Sequence, residues 1–213
     1  MDEHQTWQTR KVGERCAASL KKHGFDAHMV ETTEEARDLI LGMISGYATF
    51  GFGGSSTTRG LGLIEVLQRQ GKTIFDHLEP GISREENLAR RLSQGRCDCF
   101  LCSANAVSET GEIVNLDGVG NRTAAMTFGP KKIVIVAGVN KITPDLESAM
   151  RRVKEVAGPV RAKSLNMPTP CAKTGVCIDC NTPQRICNVT TILHRRPMLS
   201  AVSVVLINQA LGY

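Results

Sequence analysis

The sequence predicts an α/β domain built on a mostly parallel sheet with helices on both faces. Two observations carry that prediction. Short apolar runs alternate with segments of helical period along the chain, and the last run, SAVSVVLIN, has the unbroken apolar character of a buried strand. The composition agrees: 213 residues, 41% hydrophobic and 22% charged, suffice for a buried core without disorder or covalent staples.

The elements follow in order. Residues 6–22 place Trp7, Val12, Cys16, Ala17 and Leu20 at helical spacing, with Gly24 as the stop. Phe25 to Val30 reads as a strand, and TTEEARDLILGMI as a helix capped by Thr33 with acidic residues in its first turn. Tyr47 to Phe52 is a strand running into GGSSTTRG, and Leu61 to Gln68 is a helix. KTIFD, the Ser83-capped helix SREENLARRLSQG and strand CDCFLCSA come next, then a hairpin around Glu109-Thr110-Gly111 and a helix after Gly120-Asn121-Arg122. KKIVIVAG is a strand, TPDLESAMRRVKEVAG a helix with Pro144 at its first position, and SAVSVVLIN closes the series.

A single domain over 1–213 is expected, interrupted at 164–196 by an insert rich in Pro, Cys, Thr and Arg. Within it, CAKTGVCIDCNTPQRIC sets Cys171, Cys177, Cys180 and Cys187 in C-x5-C-x2-C-x6-C spacing. The Cys177/Cys180 pair lets two thiolates reach one centre from a single turn. Thiolate-only ligation selects zinc or an iron–sulfur cluster. Structural zinc sites usually pair two C-x2-C knuckles and only one is present, so a 4Fe-4S cluster is the expected cofactor, with zinc the alternative. Lys173, Arg185, Arg195 and Arg196 supply positive charge around it. Cys97, Cys99 and Cys102 in CDCFLCSA read as core: a strand puts 97 and 99 on one face and 102 on the other, where they cannot converge on a metal. Cys16 on an apolar helix face is core likewise.

The net charge of +5 is mild and not gathered into a run, and aromatics are only 4%, which argues against nucleic-acid binding. The start, MDEHQTWQTRK, is polar, and the most apolar stretch, MLSAVSVVLI, is about half a membrane span. A cytoplasmic protein with no membrane segment is expected, and in that setting its thiols stay reduced.

Two glycine loops are candidate ligand sites. In GFGGSSTTRG, Gly53 and Gly54 allow close backbone approach, and Ser55, Ser56, Thr57 and Thr58 add hydroxyl donors at a helix start. Ser56 stands where a dinucleotide fingerprint needs a third glycine, and no Gly-Lys-Ser/Thr follows, so both nucleotide motifs fail. A loop holding a carboxylate or phosphate is the better reading, with a plain strand–helix turn as the alternative. In Asp117-Gly118-Val119-Gly120-Asn121-Arg122, Arg122 can grip such an anion in bidentate fashion, and Asp117 can orient it or act as base. The alternative is an Asx turn with Asn121 as a helix cap. Glu109 fits a solvated hairpin turn, with a catalytic carboxylate as the other reading.

FGGSSTTRGLGLIEVL, SETGEIVNLDGVGNRTAAMTFGPKKIVIVAGVNK and the cysteine insert together resemble the LUD-domain family, which includes lactate-utilisation protein C. The likeness runs from the first helix to the last strand, and NLDGVGNR is its most specific part. It implies the fold of glucosamine-6-phosphate deaminase, ribose-5-phosphate isomerase and the CoA transferases, whose glycine segments line the substrate site. That maps onto Gly53 to Thr58 and Asp117 to Arg122, while Ser-Glu-Thr-Gly at Glu109 is similar to the segment carrying the CoA-transferase nucleophile. The four-cysteine insert looks like a subgroup feature. The implied function is hydroxyacid or lactate-type redox metabolism with a small anionic substrate, an iron–sulfur cluster and a redox partner subunit, a homodimer being left open. The alternatives are a non-redox isomerase- or CoA-transferase-like enzyme with structural zinc, and a non-catalytic accessory subunit of a redox complex.

Overall fold

A computed structural model describes residues 2–213. Helix α1 (Glu3–Lys22) starts at a capping box in which Asp2 and Gln5 satisfy each other's backbone N–H groups. Strand β1 (Asp26–Val30) follows, then α2 (Thr33–Ile44). The cap of α2 is Thr32, not the expected Thr33: Thr32 has extended backbone and its hydroxyl accepts from the Glu35 N–H at 3.1 Å. Next come β2 (Thr49–Phe52), the single turn α3 (Ser56–Arg59), α4 (Leu63–Arg69), β3 (Thr73–Asp76) and the Ser83-capped α5 (Arg84–Gln94). Strand β4 (Cys99–Ser103) leads to the hairpin β5 (Ala106–Ser108) and β6 (Ile113–Asp117), then α6 (Asn121–Thr127) and β7 (Lys132–Gly138).

After one 3-10 turn at Val139–Lys141 come β8 (Ile142–Thr143) and α7 (Leu146–Arg152). Asp145 caps α7, so Pro144 lies before the cap, not at the first helical position. A π-helical turn, Val153–Ala157, continues straight into α8 (Gly158–Ser164). Pro159 has no N–H to give the preceding turn, a local cause for the widened winding there. The insert contributes α9 (Pro170–Thr174) and β9 (Val189–Leu193), and β10 (Ala201–Ile207) completes the order.

Six strands form one all-parallel sheet in the order β1-β10-β7-β4-β2-β3. The apolar side chains of β4, β7 and β10 divide between two faces. One face buries Phe100, Cys102, Ile133, Ile135 and Val204 against Cys16 and Leu20 of α1; the other buries Leu101, Val134, Val136 and Val205 against α2 and α4. Cys97, Cys99 and Cys102 are all buried, but in a different pairing from that expected. Cys97 precedes the strand, so it escapes the alternation and shares a core with Cys102, while Cys99 faces the other way.

A second sheet, β8-β5-β6-β9, was not apparent in the sequence beyond its hairpin. β9 belongs to the insert and pairs antiparallel with β6 over five residues, Ile113↔Leu193 to Asp117↔Val189. Ala106 and Val114 of this sheet pack on Ala149 and Val153. The insert is thereby fastened to the strand that leads into the second glycine loop.

Candidate functional site

In the main sheet the chain runs outward from β2 to β3, then returns to lay β4 on the other side of β2. Open parallel sheets hold ligands at the carboxyl ends of the strands where the order reverses in this way. A cleft of about 290 Å³ lies there. Gly54 to Thr57 enter it after β2, His77 after β3, Ser103 to Asn105 from the end of β4, and Lys141 after β7. Asp117 comes from the end of β6, Gly118 and Val119 from the loop after it, Asn121 and Arg122 from the start of α6, and Arg161 from α8.

The two glycine loops therefore face one space, but not every residue expected there reaches it. Gly54, Ser55, Ser56, Thr57, Asp117, Asn121 and Arg122 line the cleft, whereas Gly53, Thr58 and Gly120 stand behind its wall. Gly53 is needed for packing: a Cβ there would stand 3.1 Å from Cys102 Cβ and 3.2 Å from Arg122 Cδ. Thr58 is fully buried and its N–H donates to Ser55 Oγ at 3.2 Å. With one turn only, α3 adds little dipole field, so the charge of the cleft comes from side chains.

Arg122 is built into the protein. Nη1 donates to Ser103 O at 2.9 Å and Asn115 Oδ1 at 2.7 Å, Nη2 donates to Asn105 Oδ1 at 2.9 Å and Leu116 O at 2.8 Å, and Nε lies 3.4 Å from Asp117 Oδ2. All four terminal N–H groups are engaged, so the bidentate grip on a ligand expected of Arg122 is replaced by a clamp on the end of β4 and on β6. Asp117 is similarly committed: Oδ1 accepts from Val119 N at 3.1 Å and Gly120 N at 3.0 Å, an Asx turn. Asn121 is not the cap of α6; Gly120 holds that position, and Asn121 bridges Gln94 Oε1 and Arg91 Nη1 at 2.9 and 2.8 Å. Glu109 lies outside the cleft lining, in the hairpin turn, where Arg15 Nε and Nη2 donate to its carboxylate at 3.0 and 2.9 Å. That placement follows the hairpin-turn reading and sets Glu109 apart from the other candidate residues.

The cleft instead carries groups that sequence reading passed over. Gln94 Nε2 donates to Phe52 O and Phe75 O and sits 2.8 Å from His77 Nδ1. An amide nitrogen only donates and its two hydrogens serve three neighbours here, so one bond is shared; Nδ1 is on the accepting side and the proton of the neutral ring is on Nε2. A methyl at Gly54 would meet that Nε2 at 3.5 Å and Arg161 Nη2 at 3.7 Å, which places both on the same wall. Burial, followed by the Arg91 charge, pushes the His77 pKa down to about 4. The unfolded chain then binds more protons than the folded one between about pH 4 and 6.5, so the contribution of His77 to stability is present above 6.5 and is lost as pH falls. Its ring resonances are expected to stay at their neutral shifts from about pH 5 to 8, and histidine NMR titration checks this against His77→Gln.

Lys141 is 3% exposed and lines the cleft, with Nζ donating to Ser103 Oγ at 2.8 Å and Thr57 Oγ1 at 3.2 Å. Arg91, Arg122, Arg161 and Lys141 face Asp117 as the one carboxylate side chain of the lining, an excess that favours anions. Each missed group sits just past a strand end or on a neighbouring helix, so only the topology could have flagged them.

Behind the cleft, the insert forms a second cavity of about 200 Å³ lined by Cys171, Cys177, Cys180 and Cys187 together with Lys154, Thr169 and Arg185. Leu116 and Ile186 line both cavities and form a wall between them. Gly118 makes this contact feasible, since a Cβ there would lie 3.0 Å from Ile186 Cα. All eight cysteines are free thiols, and these four are partly exposed. Thr169 Oγ1 lies 3.4 Å from Cys171 Sγ, and the Thr182 hydroxyl beside Cys180 lowers that thiol's pKa. Arg185 donates to the carbonyls of Cys180 and Cys187, and its buried Nε has no partner among the described residues. Among the described residues no three His, Cys, Asp or Glu side chains gather closely enough to hold a single metal ion.

A parallel sheet covered on both faces, with a cationic cleft at its topological switch, defines an α/β domain of the doubly wound kind. Residues 13–207 match the family model of the LUD domain, and the chain belongs to that family. Among solved structures it is similar to a DUF162 family protein from Deinococcus radiodurans, with 13% identity, a TM-score of 0.55, and coverage of 93% of this chain and 98% of that one. At that identity the likeness concerns fold alone. A match to eIF2B beta from Chaetomium thermophilum, 14% identical over 54% of this chain and 44% of that one with a TM-score of 0.33, carries no argument. No functionally curated protein matches. Among the described residues, no helix is long and apolar enough to cross a membrane.

Proposed function

We propose that this LUD-domain chain holds a 4Fe-4S cluster through Cys171, Cys177, Cys180 and Cys187 and binds a small carboxylate or phosphate in the adjacent cleft, serving hydroxyacid- or lactate-type redox metabolism. The observation that carries the reading is that all four insert cysteines line one cavity sharing the Leu116–Ile186 wall with the cationic cleft. The donor set is thiolate-only, the kind that an iron–sulfur cluster or zinc takes, and all four thiols line one space of about 200 Å³. Lys154 and Arg185 offset the charge of a thiolate cage, and the partnerless Nε of Arg185 offers it a hydrogen bond. The cluster would supply electron transfer, or a Lewis-acidic iron if one lacks a thiolate. The chain's own residues bind and orient the anion, through Arg91, Lys141 and Arg161 and the Nε2–H of His77, and Leu116 and Ile186 keep the two sites apart. A reducing, cytoplasmic setting and a redox partner subunit belong to this reading.

Protein purified without oxygen is expected to contain roughly four irons with matching sulfide and broad absorbance near ~400 nm, all lost in Cys177→Ser and Cys180→Ser. Absence of iron and of that absorbance would overturn the cluster, and one zinc per chain without colour would establish the structural-zinc alternative. Thermal shifts with phosphate and with small carboxylates test the cleft separately.

A further inference from the structure

We propose that Lys141 is a nucleophile that forms an imine with a small anion bearing an aldehyde or ketone group. The inference rests on the anion-binding reading of the cleft and adds to it a reaction and a substrate class. Three observations support it. Lys141 is 3% exposed yet lines the cleft, so its amine is held at the wall of the space where a ligand would sit. Its two hydrogen-bond partners, Ser103 Oγ and Thr57 Oγ1, are neutral hydroxyls, and no carboxylate pairs with it among the described residues. Arg152 and Arg122 act on it with like charge, and their repulsion adds to burial in favouring the uncharged amine.

The other buried lysine shows the contrast. Lys132 donates to Ser203 Oγ, which in turn donates to the Asp26 carboxylate, and it stands away from the cleft. Lys132 is thus linked through one hydroxyl to a carboxylate, whereas the hydroxyls beside Lys141 lead to main-chain carbonyls. Burial, then Arg152 and Arg122, lower the Lys141 pKa to about 7. Near neutral pH about half of its amines therefore carry a free lone pair.

In the step itself, the Nζ lone pair attacks the carbonyl carbon and the C=O π pair moves to oxygen. The proton released by nitrogen returns to that oxygen, and the Ser103 and Thr57 hydroxyls stand within hydrogen-bond reach of Nζ to pass it. Loss of water then leaves the C=N bond, with no oxidant or reductant consumed. Arg91 and Arg161 supply fixed charge for the carboxylate or phosphate of the bound molecule.

The test uses the wild-type protein at about pH 7 with glyoxylate in one arm and glycolaldehyde phosphate in the other, each with sodium cyanoborohydride to reduce the imine, followed by peptide mass mapping. A single stable adduct on Lys141, suppressed about tenfold or more by excess acetate or inorganic phosphate, supports the proposal. The arm that reacts faster tells an oxo acid from a sugar phosphate, and acetaldehyde, lacking the anion, is expected to label Lys141 weakly. Label spread over surface lysines with Lys141 unmodified, or label on Lys141 indifferent to competing anions, overturns the proposal. If phosphate and acetate still shift the melting temperature in that case, the anion cleft stands and only the imine fails. If neither anion shifts it, both readings fail.

Discussion

Arg122→Met is expected to cost the fold about 3–5 kcal/mol, the usual penalty for deleting one side of a buried charged network. For a chain of this size that corresponds to a fall in melting temperature of roughly 10 °C. The guanidinium satisfies two main-chain carbonyls, Ser103 O and Leu116 O, and two amide oxygens, Asn105 Oδ1 and Asn115 Oδ1, while facing Asp117. Removing it takes a charged donor from four acceptors at the junction of the two sheets, of which Asn105 Oδ1 and Asn115 Oδ1 keep bonds from Leu116 N and Asn105 N, and leaves the Asp117 carboxylate without that cation. Arg122→Lys is expected to recover little, because a single ammonium cannot span a planar fork of four acceptors. Thermal denaturation at neutral pH reads the effect, and a variant melting within about 2 °C of the parent would show that the clamp is not structural.

Lys141→Met is expected to act in the opposite direction and raise stability at neutral pH by about 1–4 kcal/mol, as replacing a buried charge by an apolar side chain often does. The hydroxyls left behind keep other acceptors, since Ser103 Oγ also donates to Ala104 O and Thr57 Oγ1 to Leu211 O. The sign of the pH dependence follows from the lowered pKa. Below about 7 both folded and unfolded chains carry the proton and the burial penalty is complete. Between about 7 and 10.5 the unfolded chain keeps the proton while the folded one sheds it, so stability rises with pH through that window. The variant should lack this rise. The buried thiols oppose it in both proteins: burial pushes Cys16, Cys97 and Cys102 up to about 12, which costs stability as pH passes their ordinary value of 9. Subtracting one pH–stability curve from the other cancels the thiols, and a flat difference from 7 to 10 would show that Lys141 is not held uncharged.

The alternation of strands and helices was legible because the central β-runs of the main sheet are locally apolar and several helices carry side-chain caps, Ser83 among them. What stayed hidden depends on non-local geometry. β9 has exposed residues at its start and pairs with β6 across more than seventy residues of chain, so neither periodicity nor turn signals announce it. The glycine loops could be found because glycine and serine runs after a strand have a mechanical meaning. The roles of Asp117 and Arg122 could not be, because an arginine committed to four protein acceptors and one open to a ligand are written with the same letters. Cys171, Cys177, Cys180 and Cys187 line one space, which their spacing suggested but did not require, since seventeen extended residues could span roughly 55 Å. Lys141 was hidden by its setting: VAGVNK carries no motif, and only closure of the sheet brings its amine beside Thr57 and Ser103.

The position of β10 also bears on how the chain can be made. β1 pairs with β10 and with no other strand, and β10 in turn joins it to β7. During translation, the first strand emerges from the ribosome long before the only strand that can hydrogen-bond to it. β2, β3, β4 and β7 can assemble as synthesis proceeds, but β7 then presents an open, apolar edge until residues 201–207 arrive. Nascent chains stalled before that point would expose a sticky sheet edge and call on chaperones, and insertion of the final strand would mark the moment of commitment to the native state.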